Sequence, residues 1–255
     1  MPSDVRQTDG EHHRLLVIDR PERRNALTVG VVDALAEGVR TAARAGARAV
    51  VLTGEPPSFC SGGDLPSLAA VAEEGSLAAT DMIYASFHGL VRAIRDCEVP
   101  VIAAVRGHAL GAGLDLALAC DLRIAAPDAA FESTWVKAGL VPGMAGAFHL
   151  LHVAGSTRAA ELLLCGRRID ADTALRWGLV NEVAADGDAV GAAVAMAAEI
   201  AALPAVAVAR TKAALRRARD ADLEQELATL GAQQGQLLLG EDFQALVARM
   251  GSGRR

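Results

Sequence analysis

Residues 99–121, VPVIAAVRGHALGAGLDLALACD, decide the fold class. The first apolar residues predict a buried β-strand, Gly107, Gly111 and Gly113 predict a loop, and the apolar run after them predicts a helix. The first backbone NH groups of a helix have no partner within it, so they attract negative charge. The stretch therefore predicts an α/β fold in which a strand leads into an anion-stabilising turn.

A second strand and turn of this kind lie upstream. Residues 48–54, RAVVLTG, predict a buried strand, and residues 59–65, FCSGGDL, predict a tight turn. Gly62 and Gly63 have no Cβ, which lets the backbone approach a ligand closely. Either turn alone is common in α/β proteins that bind nothing there, but two such turns can offer paired NH donors to a developing oxyanion. We name the NH groups of Gly63 and Ala112 as these donors.

Motifs and charge argue against several other classes of site. The glycines at 107, 111 and 113 have the spacing G-x-x-x-G-x-G, not the dinucleotide fingerprint G-x-G-x-x-G, and no P-loop motif occurs. A net charge of −6 and a pI near 5.5 argue against nucleic-acid binding. His149 and His152 have no acid or cysteine nearby in the sequence to complete a metal site, so none is expected.

The composition is that of a protein with a large core. The 255 residues are 52% hydrophobic and only 3% aromatic, so Ala, Val and Leu must build most of that core. The four cysteines form no C-x-x-C pair and no signal peptide opens the chain, which predicts a reduced, cytoplasmic protein. No apolar run has transmembrane length, so no membrane partner is expected.

Hydrophobic periodicity predicts an α/β core followed by a helical tail from residue 186 onward. The polar first eleven residues and residues 251–255 are expected to be loose. Strands are predicted over residues 14–19, 47–53, 100–106, 122–125 and 179–183. Helices are predicted over residues 28–45, 81–96, 111–119, 145–153, 157–164 and 171–177.

Five segments together resemble the enoyl-CoA hydratase/isomerase, or crotonase, family in order and spacing. They are RPERRNAL (20–27), AVVLTGEPPSFCSGGDL (49–65), PVIAAVRGHALGAGLDLALACDLRIAA (100–126), GLVPGMAG (139–146) and WGLVNEV (177–183). The resemblance implies a spiral of ββα units over residues 1–190 that carries an acyl-CoA site. It also implies a C-terminal helical region, residues 191–255, that mediates homotrimers, commonly stacked into hexamers.

The same resemblance implies where an acyl-CoA thioester binds. Its carbonyl oxygen would lie between the NH groups of Gly63 and Ala112, and coenzyme A would enter as part of the substrate, with no further cofactor. Arg23 and Lys212 are candidates for contact with the CoA phosphates. The residues expected to contact CoA are Arg24, Ala26, Leu27, Ser61, Asp64 and Leu65.

Proton transfer is where this chain departs from the family. The family hydratases use two carboxylates, which match Asp115 and Trp135 here, so one acid is missing. An acid in the first turn of a helix is also favoured by the helix dipole alone. Among apolar neighbours, however, Asp115 needs a partner or a function, and burial would raise its pKa toward working pH. Glu132 and Lys137 are the candidates to replace the missing acid.

His88, Trp135 and Gly143 are expected to line the substrate pocket. In 4-chlorobenzoyl-CoA dehalogenases of this superfamily, a histidine and a tryptophan occupy positions that match His88 and Trp135. The nucleophilic aspartate of those enzymes matches Gly143, which argues against dehalogenation.

The resemblance thus predicts an enzyme that stabilises the enolate of an acyl-CoA thioester, nominally for enoyl-CoA hydration. A single carboxylate leaves double-bond isomerisation or acyl-CoA hydrolysis as alternatives. A non-catalytic acyl-CoA binder is a third alternative, because one family carboxylate is lost.

Overall fold

A computed structural model describes residues 4–219, 231–232 and 234–252. A six-stranded sheet has the order β1-β2-β3-β4-β6-β9, and a three-stranded sheet has the order β5-β7-β8. The strands are β1 Val5–Asp9, β2 His13–Ile18, β3 Ala49–Gly54, β4 Val101–Val105, β5 His108–Leu110, β6 Leu122–Ala125, β7 Ala130–Glu132, β8 Arg168–Asp170 and β9 Glu182–Val183.

In the large sheet, every pair of neighbours except β1 and β2 is parallel. All residues of β3 and β4 are buried, which is why both strands are continuous apolar runs in the sequence. The carboxyl ends of these two strands lead into the two glycine turns. The central strands therefore place both turns at one edge of the sheet.

The described part of the chain contains α-helices, two 3₁₀ turns at Pro21–Arg23 and Val136–Ala138, and a π-helical turn at Ile83–Phe87. Side chains of Thr28, Asp64, Asp170 and Asp188 cap four of the helices by accepting a backbone NH bond. The helices are α1 Val29–Ala42, α2 Leu65–Glu73, α3 Ser76–Met82, α4 His88–Asp96, α5 Ala112–Ala119, α6 Gly146–Cys165, α7 Ala171–Arg176, α8 Ala189–Ala201, α9 Ala205–Arg219 and α10 Glu241–Ser252.

Helices cover both faces of the large sheet. Val50 and Leu52 of β3 point into a core shared with α1 and α4, whereas Ala49 and Val51 face α8. Ala193 and Ala197 make α8 flat enough to lie close to the strands. No single described helix is long and apolar enough to cross a membrane, although α8 and α9, bent by 111°, would reach that length as a pair.

Most predicted elements are confirmed, with boundaries shifted by a few residues. The helix predicted over 81–96 is divided by the π-helical turn, and the strand predicted over 179–183 is confined to Glu182–Val183. Residues 145–153 and 157–164 join in α6, which breaks at Gly155 with φ 74° and ψ 168°. The boundary between residues 190 and 191 falls inside α8, and the two-region division stays a prediction.

The expectation of a loose N-terminus is wrong. Val5–Asp9 forms β1, which pairs antiparallel with β2 from Val5 opposite Ile18 to Asp9 opposite Arg14. All side chains of β1 except Val5 are exposed. The strand is therefore as polar as a loop, which is why the sequence did not predict it. At the other end, Gly251 and Ser252 belong to α10, and residues 253–255 lie outside the described part.

Lys212 lies in the core and does not contact the candidate ligand cavity described below, contrary to its expected role with CoA phosphates. Its side chain is 8% exposed, and Nζ lies 2.7 Å from Asp121 Oδ2. Nζ also donates to the carbonyl oxygens of Ile94 and Val99, both at 3.0 Å. Lys212 therefore anchors α9 to the end of α4 and the start of β4.

We expect Lys212→Met to lower the free energy of unfolding by about 2 kcal/mol, because it removes buried hydrogen bonds to a charged group. Arg216→Met is the matched control, since Arg216 meets Asp96 at the surface, where an ion pair contributes less than about 1 kcal/mol. Urea denaturation measures both. Equal losses in the two variants would contradict the anchoring role.

Candidate functional site

A cavity of about 390 Å³ lies where the two glycine turns meet. Its remaining walls come from the loop before α1, from residues 134–140 and from Met250 of α10. The residues expected at an acyl-CoA site that line this cavity are Arg23, Arg24, Ala26, Ser61, Gly63, Asp64, Leu65, Ala112 and Trp135.

The two turns are joined by backbone hydrogen bonds and by contacts that need glycine. Cys60 NH donates to His108 O at 2.9 Å, and Leu110 NH donates to Cys60 O at 3.0 Å. A Cβ on Gly113 would overlap the backbone of Cys60, and a Cβ on Gly62 would lie 3.0 Å from Leu110 O. Glycine at both positions therefore lets the FCSGGDL turn lie against the start of α5.

Gly63 and Ala112 both line the cavity, and neither NH group is used in the described structure. Ala112 is the first residue of α5, so its NH has no acceptor within the helix. Gly63 NH donates no hydrogen bond to any described residue. Around it, Leu27 NH donates to Gly62 O and Asp64 NH donates to Leu27 O, both at 2.8 Å, which holds the turn rigid. Two fixed, unused donors on one cavity are what a developing oxyanion needs.

Asp115 is fully buried one turn into α5. Trp135 Nε1–H donates to its Oδ2 at 3.1 Å, and Met144 NH donates to the same oxygen at 3.3 Å. Burial raises the pKa of Asp115 to about 7, although the NH groups of Met144, Trp135 and Gly146 act in the opposite direction. A carboxyl group with this pKa can both give and take a proton near neutral pH.

The Trp135 side chain lies in contact with both the cavity and Asp115. It lines the cavity and is 8% exposed, whereas Asp115 does not line the cavity. Trp135 therefore links the cavity wall to the buried carboxyl group.

Glu132 and Lys137, the candidates for a second acid, form an ion pair with each other. Lys137 Nζ lies 2.8 Å from Glu132 Oε1, and Arg168 Nε lies 2.7 Å from Oε2. Burial acts to raise the pKa of Glu132, but these two cations outweigh it and lower the pKa. Glu132 therefore stays ionised and joins β7 to β8, while Lys137 lies at the cavity rim.

The loop before α1 places cationic side chains at the cavity mouth. Arg24 and Asn25 have positive φ, 50° and 57°. The Asn25 side chain supports this conformation by donating to Glu55 O at 2.7 Å and Ser58 O at 2.6 Å. As a result Arg24 is exposed at the mouth, beside Arg23, where both can meet an anionic ligand.

Three residues expected to contact the ligand lie behind the cavity wall. Leu27 is fully buried and acts through its backbone bonds to the FCSGGDL turn. His88 and Gly143 are also buried and bond to each other, with His88 Nε2 2.9 Å from Gly143 O. Direct contact of these three with a ligand therefore does not follow from the structure.

Other lining residues were missed by sequence reasoning. Thr134 and Leu140 flank the predicted Trp135, and Met250 comes from the far end of the chain. No local pattern marks Met250, because its place depends on how α10 packs. Among the described residues no three His, Cys, Asp or Glu side chains are grouped so that they could hold a metal ion.

The raised pKa of Asp115 has a consequence for stability. Between the ordinary pKa near 4 and the folded value of about 7, the folded state holds a proton that the unfolded state has lost. The protonated Asp115 carboxyl group therefore stabilises the folded state at low pH, and this contribution is lost as the pH rises to about 7. Asparagine does not titrate, so only the unaltered protein loses this contribution. We expect the free energy of unfolding of Asp115→Asn minus that of the unaltered protein to increase by about 2–3 kcal/mol between pH 5 and 7.5.

Urea denaturation at several pH values tests this expectation. Glu132→Gln is the control, because the lowered pKa of Glu132 keeps it ionised in both states across that range, so its stability difference should stay nearly constant. A difference for Asp115→Asn that does not change with pH would show that the carboxyl group titrates normally.

Comparison with known sequences gives one consistent set of relatives. The family model described as Enoyl-CoA hydratase/isomerase matches residues 14–245. A protein of Rhodobacter capsulatus named "Probable enoyl-CoA hydratase" is 38% identical over 239 residues, which cover 94% of this chain and 91% of that protein. "Probable enoyl-CoA hydratase EchA14" of Mycobacterium tuberculosis is 39% identical over 207 residues, 81% of this chain and 78% of that protein.

Solved structures agree with the sequence relatives. An enoyl-CoA hydratase/isomerase from Mycobacterium paratuberculosis superposes with a TM-score of 0.90 at 28% identity, covering 98% of this chain and 99% of that one. An enoyl-CoA hydratase from Mycobacterium avium subsp. paratuberculosis superposes with a TM-score of 0.85 at 30% identity, covering 96% of each chain.

Proposed function

Because the chain belongs to the enoyl-CoA hydratase/isomerase family, whose members act on acyl-CoA substrates, we propose that its cavity binds the thioester of an unsaturated acyl-CoA and stabilises its enolate. The predicted crotonase-like α/β fold is confirmed by the superpositions. The proposed reaction is the addition of water to the double bond, which is the activity named for the relatives.

One observation carries the proposal: Gly63 and Ala112, whose NH groups donate to no described residue, line the same cavity. Two NH donors stabilise the negative charge that develops on a thioester oxygen bound between them. One such donor typically contributes about 10² to 10³ in rate, or roughly 3–4 kcal/mol. At the mouth, Arg23 and Arg24 are placed to meet CoA phosphates, which supports the orientation of the substrate.

Asp115 is the proton carrier in this proposal. Its carboxylate takes a proton from water as the water oxygen bonds to C3, and the electrons of the double bond move to the thioester oxygen as an enolate. The enolate then takes a proton from the Asp115 carboxyl group at C2. A pKa of about 7 suits both steps. The proposal requires that Trp135 turns away from Asp115 when the acyl group binds, which breaks the 3.1 Å hydrogen bond.

Double-bond isomerisation is a second candidate, and the tryptophan at position 135 favours it. Hydration in the family uses a second carboxylate at this position, whereas moving a double bond needs no activated water. Asp115 would take a proton from C2 of a 3-enoyl-CoA, giving a dienolate on the same oxyanion hole. Return of the proton to C4 would give the 2-enoyl-CoA.

Mass spectrometry in D₂O separates the candidates. The protein is incubated with short, medium and aromatic 2- and 3-enoyl-CoAs, with Asp115→Asn as the control. Gain of one D₂O supports hydration, and deuterium at C2 or C4 without water addition supports isomerisation. We expect Asp115→Asn to lose either activity at least about 100-fold while it still binds acyl-CoA. Binding without conversion by the unaltered protein contradicts catalysis and favours a non-catalytic binder.

The oxyanion hole can be tested by removing one NH group. Ala112→Pro does so at the first position of a helix, where proline fits the backbone. We expect kcat to fall about 10²- to 10³-fold with the fold retained. Val29→Pro makes the same change at the first position of α1, away from the cavity, and should leave kcat unchanged within about threefold. Similar rates for both variants would exclude Ala112 NH from catalysis.

We also propose that the chain assembles into homotrimers or hexamers through its C-terminal helices. The support is the family resemblance, together with exposed apolar side chains on α9 such as Val206 and Leu215. Sedimentation equilibrium distinguishes these states, and a monomer at micromolar concentration would contradict the proposal.

A further inference from the structure

His88 and Asp115 bind opposite sides of one peptide group. His88 Nε2 lies 2.9 Å from Gly143 O, and the NH of the next residue, Met144, donates to Asp115 Oδ2 at 3.3 Å. The carbonyl and the NH belong to the same Gly143–Met144 peptide unit, which is planar and polarisable. A continuous hydrogen-bonded chain therefore runs from the imidazole to the buried carboxyl group.

The direction of the first bond follows from its partners. A carbonyl oxygen only accepts hydrogen bonds, so His88 Nε2 must carry a proton and donate it. Donation to the carbonyl draws electrons away from the amide nitrogen, which makes Met144 NH a stronger donor to Asp115.

The surroundings of His88 are built to hold this geometry. His88 is fully buried and follows directly after the π-helical turn Ile83–Phe87 as the first residue of α4. The Tyr84 ring meets the imidazole edge-to-face at 5.1 Å between centroids. Gln234 packs against Gly143, where a Cβ would lie only 3.2 Å from Gln234 Cδ. The imidazole and the peptide unit that it binds are thus each held by a packed neighbour.

We propose that His88 is a positioning residue that orients and polarises the Gly143–Met144 peptide group, so that Met144 NH holds Asp115 Oδ2 in place. The catalytic relevance of this role rests on the proposed function of Asp115 as proton carrier. His88 does not line the cavity, and its Nε2 is bonded to the peptide group instead. Its effect on the reaction passes through the peptide group to the carboxyl group.

The pKa of Asp115 is sensitive to the strength of the NH groups that donate to it. Burial and the NH groups of Met144, Trp135 and Gly146 account for the pKa shift of Asp115, and no charged side chain of the described residues contributes to it. Weakening one of these NH donors should therefore raise the pKa further.

The test compares two variants of similar size. Gln in His88→Gln can still donate an NH to Gly143 O, whereas Met in His88→Met cannot. With ¹³C-labelled aspartate, we expect the Asp115 titration midpoint to rise by about 0.5 pH unit in His88→Met and to stay near its original value in His88→Gln. Asp115→Asn identifies the signal. For an active enzyme, kcat of His88→Met should fall about threefold near neutral pH with KM unchanged.

Two NMR measurements complete the test. With only five methionines in the chain, ¹⁵N-methionine labelling resolves Met144, whose amide signal should move in His88→Met and be restored in His88→Gln. Equal shifts in both variants, or none in either, would overturn the proposal in favour of simple packing. If His88→Met does not fold, ¹⁵N-histidine labelling of the unaltered protein decides, since an unprotonated Nε2 of His88 excludes the donor role. The NMR measurements do not require catalysis. They therefore test the role of His88 even if the protein converts no acyl-CoA.

Discussion

The contact between Gly113 at the start of α5 and the backbone of Cys60 is the constraint on which the site depends. It lets two strand-to-turn segments share one wall of the cavity, although Cys60 and Gly113 are 53 residues apart in the sequence. The bonds from Cys60 NH to His108 O and from Leu110 NH to Cys60 O fix their relative position. Because backbone groups set this geometry, the NH donors are already in place before any ligand binds.

Behind this wall the protein keeps one ionisable group in an apolar environment. Asp115 lies among leucines of α5, yet Trp135, Met144 and Gly146 each direct an NH group at it. These donors stabilise the charged form and burial opposes it, so the carboxyl group titrates near neutrality instead of near pH 4. Trp135, which lines the cavity, is thus also a hydrogen-bond partner of the buried carboxyl group.

Sequence reasoning reached the features that are encoded locally. The sequence singled out Gly62 and Gly113 as turn glycines, although not their close approach to another backbone segment, and the leucine neighbours of Asp115 suggested its burial. The three-residue strands β5, β7 and β8 were missed, since so few residues show no alternation. The NH donors to Asp115 and the place of Met250 arise from long-range packing that leaves no pattern in the sequence.

Infrared spectroscopy of a bound thioester would test the central claim, that both turns polarise one carbonyl. A saturated acyl-CoA, which cannot be hydrated, is prepared with and without ¹³C at the thioester carbonyl, and the difference spectrum isolates that group on the protein. The account predicts a carbonyl band at lower wavenumber than in water, because two fixed NH donors weaken the C=O bond. A ligand that binds with its carbonyl band unshifted would contradict it.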